Sequence, residues 1–205
     1  MDLTNTRILL QSCGACCRPA AENAISRSNR KLYDLGRMWV LWVVIFGQVL
    51  WDRHPTLSWE DFKGRANRFV REPSAVTDTG FRTQLVCRDG VLDLDGGAEF
   101  YPNSSWVKAD RKLGALLRHE QGHFDITEVY ARKMRKAIRE ARIACEDETR
   151  ADAAGKKILS GLDLEWEKAE KGYDLKTKDG TDVARQGAAS ERIARELAGL
   201  SGFRR

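Results

Sequence analysis

The feature that most constrains this chain is the sequence HEQGH at residues 119–123, which lies in a long segment without proline. This segment, residues 111–144, follows Asp110, a candidate N-cap, and we predict that it forms one long helix. Side chains four positions apart lie on the same face of a helix. The imidazoles of His119 and His123 can therefore bind the same metal ion.

The glutamate inside this sequence is of the kind that hydrolytic zinc sites use. In zinc peptidases with the pattern HExxH, the zinc lowers the pKa of a bound water and the glutamate accepts a proton from it. The water attacks the peptide carbonyl, and the glutamate passes the proton to the leaving amine. We therefore predict Zn2+ as the cofactor, His119 and His123 as ligands, and Glu120 as the general base.

The pattern HExxH has two free positions and also arises by chance, so the alternative is a polar helix face that is only hydrogen-bonded. The composition of the histidine face favours the metal site, because its continuation is apolar and predicts burial, and burying unpaired polar groups is costly. The residues that continue this face are Ile126, Tyr130, Ala137 and Ala141. The chain has 3 histidines in all, and we predict that the third, His54, lies in a loop.

Several carboxylates are candidates for the third zinc ligand. Glu148 is spaced as in peptidases with a glutamate ligand, but a continuous helix rising ~1.5 Å per residue would place it roughly 30 Å from His123. An antiparallel second helix would return the chain to the histidines near Tyr173. Asp174 and Asp179 are then within reach, and the residues alone leave the choice among the three carboxylates open.

The remaining pattern predicts an α+β fold in which strands precede helices. Residues 81–95 alternate as a hairpin around the turn signal Asp89-Gly90, and we expect Gly96-Gly97 to end it. Residues 98–101 then predict one further short strand, a candidate for pairing with an extended substrate. We thus expect a small antiparallel sheet followed by a long helix that carries HExxH and packs on further helices, as in zincins. Those further helices are predicted over 148–171 and 183–200.

The N-terminal part of the chain differs from the rest. Residues 1–37 show no helical or strand period, and we predict a poorly ordered extension. Residues 38–50 are apolar and follow several basic residues, but they are shorter than the ~20 residues that a spanning helix needs. They fit the core of a signal peptide, an anchor, or a buried strand. Residues 51–205 would then form the zinc-peptidase domain.

An export signal predicts a periplasmic or other extracytoplasmic location, with membrane association through residues 38–50 as a further expectation; the alternatives are an inner-membrane anchor or the cytoplasm. Cys87 and Cys145 can form a disulfide in an oxidising compartment, or each can be a buried thiol. The net charge of +5 is too small to indicate a nucleic-acid partner. We interpret the basic run over 132–142 as a solvated helix face. The expected partner is a peptide or protein substrate.

Four segments of the sequence match a pattern found in other proteins. They are LSWEDFKG at 57–64, AVTDTGF at 75–81, SSWVK at 104–108 and LLRHEQGHFDITEVYARKMR at 116–135. Through them the chain resembles the bacterial family called domain of unknown function 922, which is described as zinc-dependent proteases. The resemblance covers about residues 49–186. It implies a zinc-dependent protease of the HExxH type, in a family whose members are mostly exported.

The last motif of that family, YDxxTxHG, is similar to residues 173–180, with Asp179 where the family has histidine. The resemblance therefore implies Asp179 as the third zinc ligand, and aspartate ligands occur in other HExxH peptidases. We also predict that Tyr173, Asp174 and Asp125 contact the substrate or support the ligands. Two alternatives are an inactive relative that serves as a binding or scaffolding module, and a basic surface-binding protein with a chance HExxH.

Overall fold

A computed structural model describes residues 48–66 and 73–205, and these residues form antiparallel strands followed by three helices. The predicted α+β fold is confirmed. The predictions for the extension at 1–37 and for a signal or anchor at 38–47 lie outside the described residues. The end of the predicted apolar segment, Val49–Leu50, forms the first strand, β1.

The main sheet is antiparallel and contains β1 and two long strands, β3, Thr79–Arg88, and β4, Val91–Phe100, in the order β1-β4-β3. The predicted hairpin is confirmed, because β3 and β4 pair continuously from Arg88 opposite Val91 onwards. Asp89 and Gly90 form its turn with φ values of 51° and 76°, as a two-residue hairpin of right-handed twist requires.

Gly96-Gly97 does not end the hairpin, so the prediction of a separate strand over 98–101 is wrong. Gly96 has a φ of 152°, and a β-carbon on it would lie 1.9 Å from the carbonyl oxygen of Arg82 on the neighbouring strand. Glycine therefore lets β4 continue where any side chain would strike β3. Ala98 pairs with Phe81 on one side and accepts a hydrogen bond from the Trp51 amide on the other. This part of β4 has no open edge for a substrate.

A second, two-stranded antiparallel sheet pairs a strand that precedes the hairpin with a strand that precedes the helices. It pairs β2, Ala75–Val76, with β5, Trp106–Val107. The connection from β2 to β3 consists of Thr77 and Asp78. Its backbone is anchored, because the Asp78 amide donates to the Ser105 hydroxyl and the Asp78 carbonyl accepts from the Tyr101 amide.

The predicted helices are present, with different ends. The first begins after Leu113 and not after Asp110, because residues 109–111 form a separate 3-10 turn. The second continues to Thr177, six positions past 171, and ends where Lys178 adopts a left-handed φ of 51°. Among the described residues, no helix is both long enough and apolar enough to cross a bilayer. The helices are α1, Gly114–Ala141; α2, Glu148–Thr177; and α3, Val183–Gly199.

Helix α1 is the centre of the core, with apolar side chains on several sides. Phe124 packs with Phe100 of the sheet, and Ile126 packs with Trp166 of α2 and Ile193 of α3. Burial on opposite sides explains why α1 alone contacts the main sheet, α2 and α3 extensively. The core therefore holds the histidine-bearing helix in a fixed position relative to α2.

The basic run on α1 is not uniformly solvated, so that interpretation is wrong for Arg132 and Arg135. Both are buried and pair with Glu128, whose carboxylate lies 2.8 Å from Arg132 Nε and 2.9 Å from Arg135 Nη2. They also donate to backbone carbonyls of Leu197, Phe203 and Gly96. This cluster ties the C-terminal residues to α1 and to the sheet.

A disulfide joins Cys87, near the tip of the hairpin, to Cys145, in the connection between α1 and α2. Two backbone hydrogen bonds hold the same connection: Leu92 donates to Ile143 and Cys145 donates to Gly90. The hairpin tip and the start of α2 are thus fastened together.

Candidate metal centre

His119 and His123 lie one turn apart on α1, and α2 brings Asp174 onto both of them. The Oδ1 atom of Asp174 is 3.0 Å from Nε2 of His123 and 3.3 Å from Nε2 of His119. The three potential ligand atoms all lie within 4.8 Å of one another. Among the described residues these form the one group of three or more metal-binding side chains with this geometry.

The spacing and bonding of these atoms fit a zinc ion. Two ligands about 2.1 Å from a tetrahedral zinc lie roughly 3.4 Å apart, close to the observed separations. Asp174 Oδ1 is also buried and accepts no hydrogen bond from any described residue, although two imidazole nitrogens are nearby, so neither nitrogen is aligned as its donor. Three polar atoms that surround a common point without bonding one another are what a cation site requires.

Each histidine is oriented by a polar partner on its other ring nitrogen. Nδ1 of His123 makes a short contact with the carboxylate of Glu170, which also accepts a hydrogen bond of 3.0 Å from Trp166. Nδ1 of His119 lies 3.2 Å from Oε1 of Gln186. Both partners are acceptors, so each imidazole carries its proton on Nδ1 and presents Nε2 to the ligand group.

The electrostatics of the metal-free cluster follow from this arrangement. Burial opposes the ionisation of Asp174, but the imidazoles of His119 and His123 outweigh it and lower the pKa of Asp174. Burial likewise opposes the charging of His123, yet Glu170 and Asp174 raise its pKa well above the ordinary histidine value. Burial raises the pKa of Glu170, partly offset by His123. Without a metal cation, the positive charge of protonated His123 therefore balances negative charge on Glu170 and Asp174.

Tyr173 packs against the histidines and fixes the backbone of the site. Its ring stacks on that of His119 at 4.9 Å, and its hydroxyl donates to the His119 carbonyl at 3.0 Å. The hydroxyl also accepts a 2.7 Å hydrogen bond from Gln186. Burial is the main cause of the raised pKa of Tyr173. The tyrosine thus stays protonated and supports the ligands through α1.

Glu120 is buried, with 4% of its surface exposed, and it is held by a residue that sequence reasoning missed. The hydroxyl of Thr77 donates a 2.6 Å hydrogen bond to Oε2 of Glu120. The two residues are 43 positions apart, and no local pattern relates them. Glu170 was also missed, although its position four residues before Asp174 on one helix was an available signal.

The structure places Asp174, not Asp179, beside the two histidines. Asp179 is exposed and lies past the end of α2, where Lys178 and Asp179 both have positive φ. Asp174 is still inside the helix, one residue after Tyr173, and keeps the helical register that faces α1. The implied ligand role of Asp179 rested on the resemblance motif, and the actual extent of α2 decides against it.

The other predicted site residues have different surroundings. Asp125 accepts hydrogen bonds of 2.8 Å from Trp51 and Gln121 and does not contact the histidines; burial raises its pKa. Glu148 is exposed at the start of α2. His54 is exposed in a loop, as predicted, beside Asp61.

The family comparison covers the helices that build this centre. Residues 101–180 match the family described as "Bacterial protein of unknown function (DUF922)". The matched segment contains α1 and α2, and therefore both histidines, Glu120 and Asp174. No curated protein and no solved structure is significantly similar to the chain. Residues 101–180 are therefore similar to the DUF922 family, which agrees with the resemblance seen in the sequence.

Proposed function

We propose that this protein is a zinc-dependent metallopeptidase in which His119, His123 and Asp174 hold the metal. The observation that carries the proposal is the buried Asp174 Oδ1, which faces two imidazole nitrogens and has no hydrogen bond within residues 48–66 and 73–205. Two histidines and one carboxylate are a usual ligand set for catalytic zinc, which keeps a further position open. Glu120, the residue after His119, is buried and is the carboxylate that the HExxH mechanism uses as general base, which supports the proposal.

Zinc, when bound, would lower the pKa of a water and polarise the carbonyl of the substrate. Glu120 accepts a proton from the attacking water as the bond between the water oxygen and the carbonyl carbon forms. The same proton then passes from Glu120 to the amide nitrogen as the C–N bond breaks. The products are a carboxylic acid and an amine, the acid gives its remaining proton to the amine so that they leave as carboxylate and ammonium, and Glu120 returns to its ionised state.

We further propose that the substrate is a peptide or protein outside the cytoplasm. The disulfide between Cys87 and Cys145 supports this location, since disulfides persist mainly in oxidising compartments. An exported hydrolase has access to extracytoplasmic proteins as substrates and not to those of the cytoplasm.

Metal analysis followed by a cleavage assay tests the proposal. The purified protein should contain about one zinc per chain, and His123→Ala should lose it. Glu120→Gln should keep the zinc but cleave an unfolded protein substrate only at a small residual rate. Iron in place of zinc, or no metal at all, would overturn the proposal. Full cleavage by Glu120→Gln would remove Glu120 from its role.

The main alternative is an inactive, zinc-binding scaffold module. It predicts stoichiometric zinc and no cleavage of any peptide in a diverse library by the wild-type protein. The second alternative, a basic surface-binding protein, is weakened because Arg132 and Arg135 are buried in ion pairs.

A further inference from the structure

We propose that Thr77 is a positioning residue that aims the carboxylate of Glu120 at the reacting water. This inference rests on the proposed peptidase function. It adds to the site a residue from the β2–β3 connection, which lies outside the HExxH helix and outside residues 101–180 of the family match.

The hydrogen bond between Thr77 and Glu120 is short, and the hydroxyl of Thr77 is its donor. The hydroxyl of Thr77 donates to Oε2 of Glu120 at 2.6 Å, a distance typical of a hydroxyl bound to an ionised carboxylate. Within the described part of the chain, no ion pair and no other side-chain hydrogen bond engages this carboxylate. Thr77 is therefore the group that sets the orientation of the carboxylate.

The backbone on both sides of Thr77 is anchored. Before it, Val76 pairs with Trp106 in the β2–β5 sheet. After it, Asp78 is bonded through its amide to Ser105 and through its carbonyl to Tyr101. The hydroxyl is thus presented to Glu120 from a segment fixed at both ends, independent of α1.

This arrangement assigns different roles to the two oxygens of Glu120. Oε2 is occupied as the acceptor of the Thr77 hydroxyl, so Oε1 is the oxygen that remains to take the proton. A carboxylate that is held by one oxygen cannot rotate freely about its terminal bond. General-base catalysis depends on such alignment, because the base must reach the proton within hydrogen-bond distance.

Three variants test the role of Thr77. Thr77→Val keeps the shape of the side chain and removes the hydroxyl, Thr77→Ser restores a hydroxyl, and Thr83→Val is the matched control on the exposed face of β3. We expect Thr77→Val to keep its zinc and to remain folded at the assay temperature but to lose about tenfold or more in kcat, with little change in KM. Thr77→Ser should recover most of the loss, and Thr83→Val should match the wild type.

A double variant separates positioning from a general effect. In a Glu120→Gln background, adding Thr77→Val should change the residual rate no further, because the two residues act as one unit. Wild-type kcat in Thr77→Val, or loss of its zinc, would overturn the positioning role while leaving the peptidase proposal intact. Full cleavage by Glu120→Gln alone would remove Glu120 from its role, and Thr77 with it, whereas a wild-type protein without zinc would overturn the proposed function.

Discussion

The hydroxyl of Tyr173 occupies the space where residue 122 would place a β-carbon. A β-carbon built on Gly122 would lie 2.0 Å from that oxygen, so only glycine allows α1 and Tyr173 to approach this closely. The glycine at the fourth position of HEQGH is therefore a requirement of the contact between α1 and α2.

Replacing Gly122 by alanine should destabilise the protein, although alanine favours helices. Overpacking of this kind costs about 1–3 kcal/mol, more than the ~1 kcal/mol that alanine gains over glycine in a helix. The control is Gly161→Ala in α2, where an added β-carbon has no neighbour within 4 Å. Urea denaturation should show a lower free energy of unfolding for the first variant and a slightly higher one for the second. Equal values for both would contradict the close contact.

Asp174→Ala should lose bound zinc, whereas Asp179→Ala should keep it. Asp174 contributes the buried oxygen that faces both imidazoles, and Asp179 is exposed beyond the helix end. Metal content after dialysis against a weak chelator measures the difference. Zinc lost on changing Asp179 and retained on changing Asp174 would restore the ligand set that the resemblance implied.

Zinc affinity should rise with pH above about 6.5. The pKa of metal-free His123 is raised, so His123 holds a proton through this range and must release it before it can act as a ligand. The same proton stabilises the metal-free fold below pH 6.5, and that stability is lost as the pH rises through the raised pKa. Calorimetric titration with zinc in two buffers of different ionisation enthalpy counts the protons released. No proton release at pH 7 would contradict the raised pKa.

Arg135→Ala should be destabilising, by about 1–3 kcal/mol, because Glu128 and the carbonyls of Gly96 and Phe203 each lose a buried donor, although Glu128 keeps its ion pair with Arg132. Arg139→Ala is the control, since Arg139 is exposed and pairs with Asp93 at the surface, where an ion pair is worth about 0–1 kcal/mol. Thermal and urea unfolding of both variants provide the comparison. A loss for Arg135→Ala as small as for Arg139→Ala would show that the cluster is dispensable.

Structural features that depend on residues close together in the sequence could be predicted. Asp89-Gly90 indicated the hairpin turn, and the HEQGH segment indicated the long helix. The return of the chain near Tyr173 followed from the length of that helix alone. The choice between Asp174 and Asp179 did not, because it depends on where α2 ends, and a helix end is set by the φ of Lys178 and the packing around Gly180.

Contacts between distant segments were not predictable in the same way. Thr77 meets Glu120 only because the β2–β5 sheet packs beside α1. The burial of Arg132 and Arg135 depends on Glu128, which precedes them by one and about two helical turns on the same face. That spacing was visible in the sequence, but a charge pattern alone does not distinguish a solvated face from a buried cluster.

The three candidate ligands come from two helices that meet only after the chain has reversed direction. A newly made chain in which α2 has not yet docked on α1 has both histidines but lacks Asp174 and Glu170 beside them. Maturation of the centre and completion of the fold are therefore the same event. If the centre is a peptidase, the chain has no peptidase activity during synthesis and becomes active only after α2 has docked on α1.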